Sequence, residues 1–397
     1  MSQQLLNREV KGCFDYFHKN FSRGPLTYGL MPDRLPHIHN ECSVAANGFM
    51  LAAMAAGADL GYISPDEARS ICEDTLSTFF RLEQDNGFFY HFYSLEDGSR
   101  SRRCELSIID SALFFAGALT AGARFGGRTL ALARELLHRC NWRYFYDPDR
   151  KMFYMGRFDE RGFSGHWDCY AEQLILYFLA ASSPSGQDFA REAYYAFTRH
   201  RGSYSGEEYI YSWFGSLFTH QFSHAFLDFR GTVDANGTNW FQNSVKASLD
   251  NRRYCIANAD KFPGYGADGW GLTSCITPKG YVGNIGCAPS GNGNSEHLSE
   301  GTIAPCGALG SLPFTPRESL AALKNYYSLP QLVGEYGLRD AYNAGQDWYS
   351  DSYISIDKGI TLLMAANYMQ NSVWKHFCSL PEIKKAFEIL EFKKENV

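Results

Sequence analysis

The stretch Ala45-Ala-Asn-Gly-Phe-Met-Leu-Ala-Ala-Met-Ala-Ala-Gly-Ala58, with its counterpart Ala112-Leu-Phe-Phe-Ala-Gly-Ala-Leu-Thr-Ala-Gly-Ala123, decides the fold. Both runs are apolar nearly all round and rich in small residues. A helix with no polar face must be buried, and a helix with one charged face can cover it. Asp66–Arg81 and Thr129–Arg139 have such a face. Helix-start signals recur at short intervals. Ser64-Pro65-Asp66-Glu67 offers an N-cap, a proline at the first helical position and a glutamate able to close a capping box, and Thr315-Pro316-Arg317-Glu318 repeats the device.

Apolar periodicity read outward from these signals predicts helices near 3–20, 43–60, 65–82, 107–122, 127–142, 168–181, 187–200, 218–229, 239–259, 316–329, 355–370 and 381–391. They fall into consecutive pairs. Inner and outer helices in six pairs make an all-α (α/α)6 toroid, and without a repeated unit a long solenoid is excluded. No break in the pattern marks a second domain, so residues 1–397 are expected to form one catalytic domain. A glycine- and proline-rich stretch from Asn258 to Thr315 is poor in helical period, and shorter irregular stretches lie at Leu26–Glu41, Gly87–Arg103 and Tyr144–His166. Loops this long in a compact domain are usually functional, and in a toroid they gather over one end and wall a cleft.

The 397 residues are 45% hydrophobic and 20% charged, enough to bury a large core. A net charge of −6 with no basic face argues against a nucleic-acid partner. No apolar run reaches transmembrane length and no basic leader precedes an apolar stretch, so neither a membrane nor secretion is expected. The 11 cysteines are odd in number, contain no C-x-x-C and sit partly in apolar helical runs (Cys13, Cys72, Cys255). Free thiols in a reducing cytoplasm fit this pattern. There are 25 Tyr, 30 Phe and 7 Trp. Most fill the core, but loop-like clusters at Trp167–Tyr170, Tyr265–Trp270 and Trp348–Tyr353 offer flat rings with polar edges, which suit sugar faces.

Five groups of residues could carry chemistry. Glu105-Leu-Ser-Ile-Ile-Asp110 opens an inner helix, and Ser107-x-x-Asp110 reads equally as a capping box. In Trp167-Asp-Cys-Tyr-Ala-Glu172, Asp168 can cap the following helix. Glu172 leads into the apolar run Leu174–Ala181, so it is either paired or held with a raised pKa, as a general acid requires. His220 and His224 lie four apart and could hold zinc, but Gln221 stands where a metalloprotease has glutamate and no third ligand is evident. Histidines facing the cleft are preferred here, with a hydrogen-bonded core pair second. Trp270 lies between Gly269 and Gly271, and Glu300 precedes Gly301-Thr-Ile-Ala-Pro305; plain turn chemistry would explain the glycines but not the tryptophan. Asp357 begins a further apolar helix, where a first-turn carboxylate is favoured by the helix dipole. Phosphate loops, dinucleotide fingerprints, calcium loops and a nucleophile elbow are missing, and no metal or other cofactor is expected.

These segments, with Gly87–Phe92, Ala180–Pro184, Leu227–Gly231, Tyr254–Asn258, Ser311–Pro316 and Ala341–Asn343, together resemble the family known as putative glucoamylases, which includes glycoside hydrolase family 144. The resemblance runs in order from about residue 43 to 378. It implies a glycoside hydrolase on an (α/α)6 toroid, acting on β-linked glucans or gluco-oligosaccharides, β-1,2-linked above all. It implies Glu172 as the general acid, with Asp110 and Glu105 as catalytic partners. His91, Trp167, Tyr170, His220, His224, Trp270, Glu300 and Asp357 are then substrate-binding. Three positions depart from the family pattern: Ala171 replaces Asn, Lys358 replaces Gln, and Glu300 replaces Asp. With no leader expected, short imported oligosaccharides are the expected substrate. Two alternatives are a sugar isomerase or epimerase on the same scaffold, using His220 and His224, and a non-catalytic glycan-binding toroid.

Overall fold

The computed structural model describes residues 2–395. The protein is helix-rich, with 46% of residues helical. In chain order its helices are α1 (Ser2–Asn20), α2 (Val44–Asp59), α3 (Pro65–Phe79), α4 (Ile108–Phe125), α5 (Gly127–His138), α6 (Leu174–Ala181) and α7 (Gln187–Ala196). Then come α8 (Phe222–Phe226), α9 (Trp240–Ala257), α10 (Pro305–Leu309), α11 (Pro316–Tyr326), α12 (Ser355–Gln370), α13 (Ser372–Phe377) and α14 (Pro381–Ile389). All twelve expected helices are present in some form, and the short α10 and α13 were not expected. The helix expected over 168–181 begins only at Leu174, so Asp168 does not cap it. The one expected over 218–229 breaks at Gln221 into a 3-10 turn, Leu217–His220, and the five-residue α8.

The two apolar, small-residue-rich runs become α2 and α4, which pack against each other at the centre of the molecule. Their backbones touch: a Cβ added at Gly117 would collide with the carbonyl of Gly48, and one at Gly48 with the carbonyl of Leu113. On the other flank of α2, a Cβ at Gly359 of α12 would run into the Phe49 ring. Around this centre α4 also contacts α6, α6 contacts α8, α8 contacts α12, and α12 contacts α2 and α10. The one-sided helices α3, α5 and α7 cover α2, α4 and α6 from outside. Contrary to the expectation that no run could cross a membrane, the 18 residues of α4 are long and apolar enough (mean hydropathy 1.3), but 78% of that span is buried among its neighbours.

Helix starts follow the capping chemistry only in part. Ser43, Ser64, Ser107 and Asn239 accept hydrogen bonds from the backbone N–H three residues on. Thr315 does not; its hydroxyl donates back to the Ser311 carbonyl instead. Inside the core, Lys358 of α12 donates to Glu9 of α1 at 2.8 Å and to the Leu338 carbonyl at 3.1 Å. Glu9 also accepts from the Tyr327 hydroxyl and the Leu338 N–H, both at 2.9 Å, so every buried charge in this pair is met.

A belt of short antiparallel pairings crosses the N-terminal ends of α12, α2 and α4. Tyr353–Ile354 pairs with Arg34–Leu35, Pro32 bridges to Cys42, and Glu41–Ser43 pairs with Phe92–Ser94. Tyr90 then bridges to Leu106, and Leu106–Ser107 joins the edge of a sheet made with Tyr146–Asp147, Met152–Phe158 and Gly162–His166. The stretches Leu26–Glu41, Gly87–Arg103 and Tyr144–His166, expected as irregular, supply most of this belt.

The α2–α4 contact generates a stability prediction. Alanine is a better helix former than glycine by about 1 kcal/mol, but a methyl at Gly117 has no room and overpacking costs about 1–3 kcal/mol or more. Gly117→Ala therefore unfolds at lower urea concentration than the parent. An unchanged or higher midpoint would mean that the two helices part freely.

Candidate active site

The belt brings a set of acids and one histidine together. His91 follows Tyr90 of the bridge to Leu106, and Glu105 precedes Leu106, so pairing the two segments sets the side chains face to face. The His91 Nδ1 lies 2.8 Å from a Glu105 carboxylate oxygen, and its Nε2 lies 3.6 Å from Asp110 Oδ1. The ring stacks on Phe92 with centroids 3.8 Å apart. Burial works against a charged ring here, but the Asp110 and Glu105 carboxylates outweigh it and lift the His91 pKa to about 9. His91 is therefore an imidazolium at neutral pH.

Asp110 sits in the first turn of α4, and both readings of its motif hold in part. Its N–H donates to Ser107 Oγ at 3.3 Å, as a cap requires. Its carboxylate does not close a capping box; it accepts from the Ser107 hydroxyl at 2.5 Å and faces His91. Burial raises the Asp110 pKa, opposed by the His91 charge and the Ser107 hydrogen bond. For Glu105, burial also raises the pKa, but the His91 hydrogen bond and charge prevail and hold it below the usual range.

Glu172 lies two residues before α6, in a segment whose backbone is pinned by the Ser223 hydroxyl donating to the Glu172 carbonyl at 2.5 Å. It forms part of the wall of a cavity of about 500 Å³, shared with Trp167, Tyr170, Trp213, Phe214 and Phe218. The carboxyl is surrounded by protein although the residue keeps some surface on the cavity. Burial, with a smaller push from the Asp110 charge, raises its pKa to about 7. Tyr170 is fixed by stacking on Trp240, centroids 4.7 Å apart, and Trp167 is 4% exposed.

Other residues expected at the site lie elsewhere. His220 and His224 are 2% and 1% exposed and do not line the cavity. They form a core pair around Ser244, whose hydroxyl bonds the His220 carbonyl and His224 Nε2, each at 3.0 Å. Burial pushes both pKa values down to about 3, so both rings are neutral. Trp270 is fully buried, its carbonyl accepting from Tyr326, because the flanking glycines let the chain pack under α10 and α11 rather than against a ligand. Glu300 braces its own loop, accepting from the Thr302 N–H at 3.2 Å and from Asn343 at 3.4 Å. Asp357 is in the first turn of α12, as the dipole argument allows, but is buried beside Asp340 on a void of only about 10 Å³. Burial and the Asp340 charge raise its pKa well above the carboxylate range. Among the described residues no group of three or more His, Cys, Asp or Glu side chains is spaced to hold a metal ion.

Sequence reasoning missed four contributors. Trp213 and Phe214, the latter 40% exposed, precede Gly215 in a loop, an aromatic–glycine signal like the one noted at Trp270. His166 also lines the cavity, fixed by Asp147 at 2.9 Å. Asp33 stands in the first irregular stretch, and its charge acts on both His91 and Asp110.

An aromatic cavity with one desolvated carboxyl and a second carboxylate within electrostatic reach is the arrangement that glycoside-cleaving proteins use. The chain belongs to the family described as "putative glucoamylase", which it matches over residues 164–381. It is similar to a putative glucoamylase from Bacteroides uniformis, with a TM-score of 0.88 and 25% identity over 99% of this chain and 98% of the other. It is equally similar to an endo-β-1,2-glucanase from Chitinophaga pinensis, solved with sophorotriose and glucose: TM-score 0.87, 25% identity, 99% of each chain. An exo β-1,2-glucooligosaccharide sophorohydrolase of Parabacteroides distasonis is 26% identical over 98% of this chain. The chain spans 58% of the length of that relative.

The carboxylates around His91 generate a titration prediction. In the parent, the His91 ring resonances followed by NMR titrate near pH 9. Asp110→Asn removes the strongest of the charges that hold the proton, so the midpoint falls by a unit or more, roughly 1.4 kcal/mol per unit. A parent midpoint below 7 would show that the carboxylates do not hold this ring charged.

Proposed function

We propose that this chain is a glycoside hydrolase cleaving β-1,2-linked gluco-oligosaccharides, built on a single (α/α)6 toroid whose mouth carries the acid cluster. The observation that carries the reading is the Glu172 carboxyl: it faces a sugar-sized aromatic cavity and is held near pKa 7 by burial. The β-1,2 linkage rests on the relatives that act on β-1,2-glucans and on an overall similarity spanning 98% or more of this chain. The closed sequence of contacts from α2 through α4, α6, α8 and α12 back to α2, with one-sided helices outside, supports the toroid. Eleven free cysteines, nine of them buried, support a reducing, cytoplasmic setting and short oligomers as substrate.

Glycosidic cleavage needs one group to protonate the departing oxygen and a second carboxylate on the sugar's reacting side. Glu172, protonated for much of its time at neutral pH, gives its proton to the glycosidic oxygen as the C–O bond breaks. Asp110 supplies the second carboxylate. The His91 imidazolium opposes the effect of burial on Asp110 and so favours its ionised form, while the Asp110 charge helps keep Glu172 protonated. Trp167 and Tyr170, buried in the cavity wall, exclude water from one side of the acid.

Glu172→Gln keeps shape and hydrogen bonding but removes the titrating proton. Turnover of β-1,2-linked gluco-oligosaccharides falls by roughly 10²–10⁴-fold while sugar binding persists. A variant that melts like the parent at pH 4 and keeps a third of its turnover would remove Glu172 from the mechanism. The same substitution carries a stability signature. An acid whose folded pKa is raised is penalised once pH rises past its unfolded value, so the cost develops between about 4.5 and 7. Glu172→Gln thus melts above the parent at pH 8 and loses that advantage at pH 4.

The donor chemistry at the site also makes a prediction about metals. Exhaustive chelation leaves turnover unchanged. Loss of activity with EDTA and its recovery with zinc would instead make His220 and His224 ligands, through a rearrangement of the core pair.

A further inference from the structure

A second cavity, of about 260 Å³, lies beside the acid cluster and takes no part in the chemistry above. Asp33, Arg34, Ile38, Glu41, Arg102 and Tyr281 are among the residues that line it. Three observations relate it to the first. Phe92 forms part of its wall and is stacked directly on His91. Asp33 lines it, and the Asp33 charge reaches His91 and Asp110, while the Asp110 charge reaches Glu172 on the first cavity. The hairpin of Cys275–Thr277 and Gly280–Val282 presents Tyr281 to the second cavity, and Gly283, next in the chain, lines the first. The acid cluster therefore adjoins the second cavity through Phe92 and Asp33, and one hairpin reaches both cavities.

The lining of the second cavity has the character of a sugar site. Arg34 donates to Asp33 at 3.0 Å and lies 5.7 Å from the centroid of the Tyr281 ring. Arg102 is held by both oxygens of Glu41 and covers the Phe92 ring at 4.9 Å. Each guanidinium keeps N–H groups beyond those used on its carboxylate, and each carboxylate keeps acceptor capacity, so the walls offer fixed donors and acceptors for hydroxyl groups. Ile38 is 63% exposed and Tyr281 48% exposed, whereas most large apolar side chains here are buried. On the first cavity the corresponding exposed groups are Met155 and Phe214. Among the described residues, four of the nine exposed large hydrophobic side chains thus stand on these two cavities, where apolar sugar faces would cover them.

We infer that the cavity of Asp33, Arg34, Arg102 and Tyr281 is the second arm of the substrate cleft, holding glycosyl residues on the side of the scissile bond opposite the Trp167–Tyr170 arm. This rests on the glycoside hydrolase reading. It deepens that reading by requiring the substrate to extend past the acid cluster in both directions, so that chain length, and not only linkage, is recognised. Arg34 and Arg102, already paired, bind neutral hydroxyls there and do not select for an anionic sugar.

The test is kcat/KM across a series of β-1,2-linked gluco-oligosaccharides of increasing length, for the parent, Tyr281→Ala, Ile38→Ser and the distant surface variant Tyr368→Ala. In the parent, kcat/KM rises with length as the second arm fills and then levels off. Tyr281→Ala and Ile38→Ser, both at exposed positions that leave the core intact, lose kcat/KM by an amount that grows with length and reaches about tenfold for the longest oligomers. Tyr368→Ala follows the parent at every length. Losses in Tyr281→Ala and Ile38→Ser that are equal at all lengths, or absent, overturn the second arm while leaving hydrolysis in place. A parent that turns over none of the oligomers overturns both readings together.

Discussion

Everything at the candidate site hangs from the contact of α2 with α4 at Gly48 and Gly117. Two helices can approach backbone to backbone only where neither carries a side chain, and the glycines provide that. The approach lets small residues fill the centre and fixes where each helix begins. Ser43 and Ser107, one residue before each start, are carried by the same belt of short strands. The N-terminal ends of α2 and α4 and the segment bearing His91 are thereby set as one unit. The distances from His91 to Glu105 and Asp110 follow from helix packing as much as from local chemistry.

Desolvation then divides the acids. Burial raises the pKa of every carboxyl in the cluster, and neighbours decide which ones stay high. Glu105 has the His91 hydrogen bond and falls below the usual range; Asp110 feels the same imidazolium and the Ser107 hydroxyl. Glu172 has no cationic partner and feels only further negative charge, so it remains near 7. One environment thus raises the pKa of Glu172 and lowers that of Glu105. In the buried Asp340–Asp357 pair burial prevails: it raises both, the Asp340 charge adds to the rise at Asp357, and the Arg34 charge only partly opposes it at Asp340.

Much of the scaffold was legible because its signal is periodic and local. Helices at 44–59, 108–125 and 355–370 declare themselves by apolar runs, the first two behind a capping serine. Glu172 was legible too, because a carboxylate leading into eight buried residues has little access to water. The belt was not, since most of its strands have only two or three residues and carry no measurable period. His220 and His224 misled for a related reason: spacing of four suggests a common helical face, but the chain breaks at Gln221 and both rings turn into the core.

The sequence by itself determined which segments are helical, which helices must be buried, and which acidic side chain would be held out of water. Those properties depend on neighbours within a few residues along the chain. The tertiary structure alone decided which polar groups face a cavity. It set His91 between Glu105 and Asp110, brought Asp33 beside them, and withdrew Trp270 and Asp357 into the core. Exposure and pKa are properties of the atoms packed around a group, and here those atoms come from segments well separated along the chain.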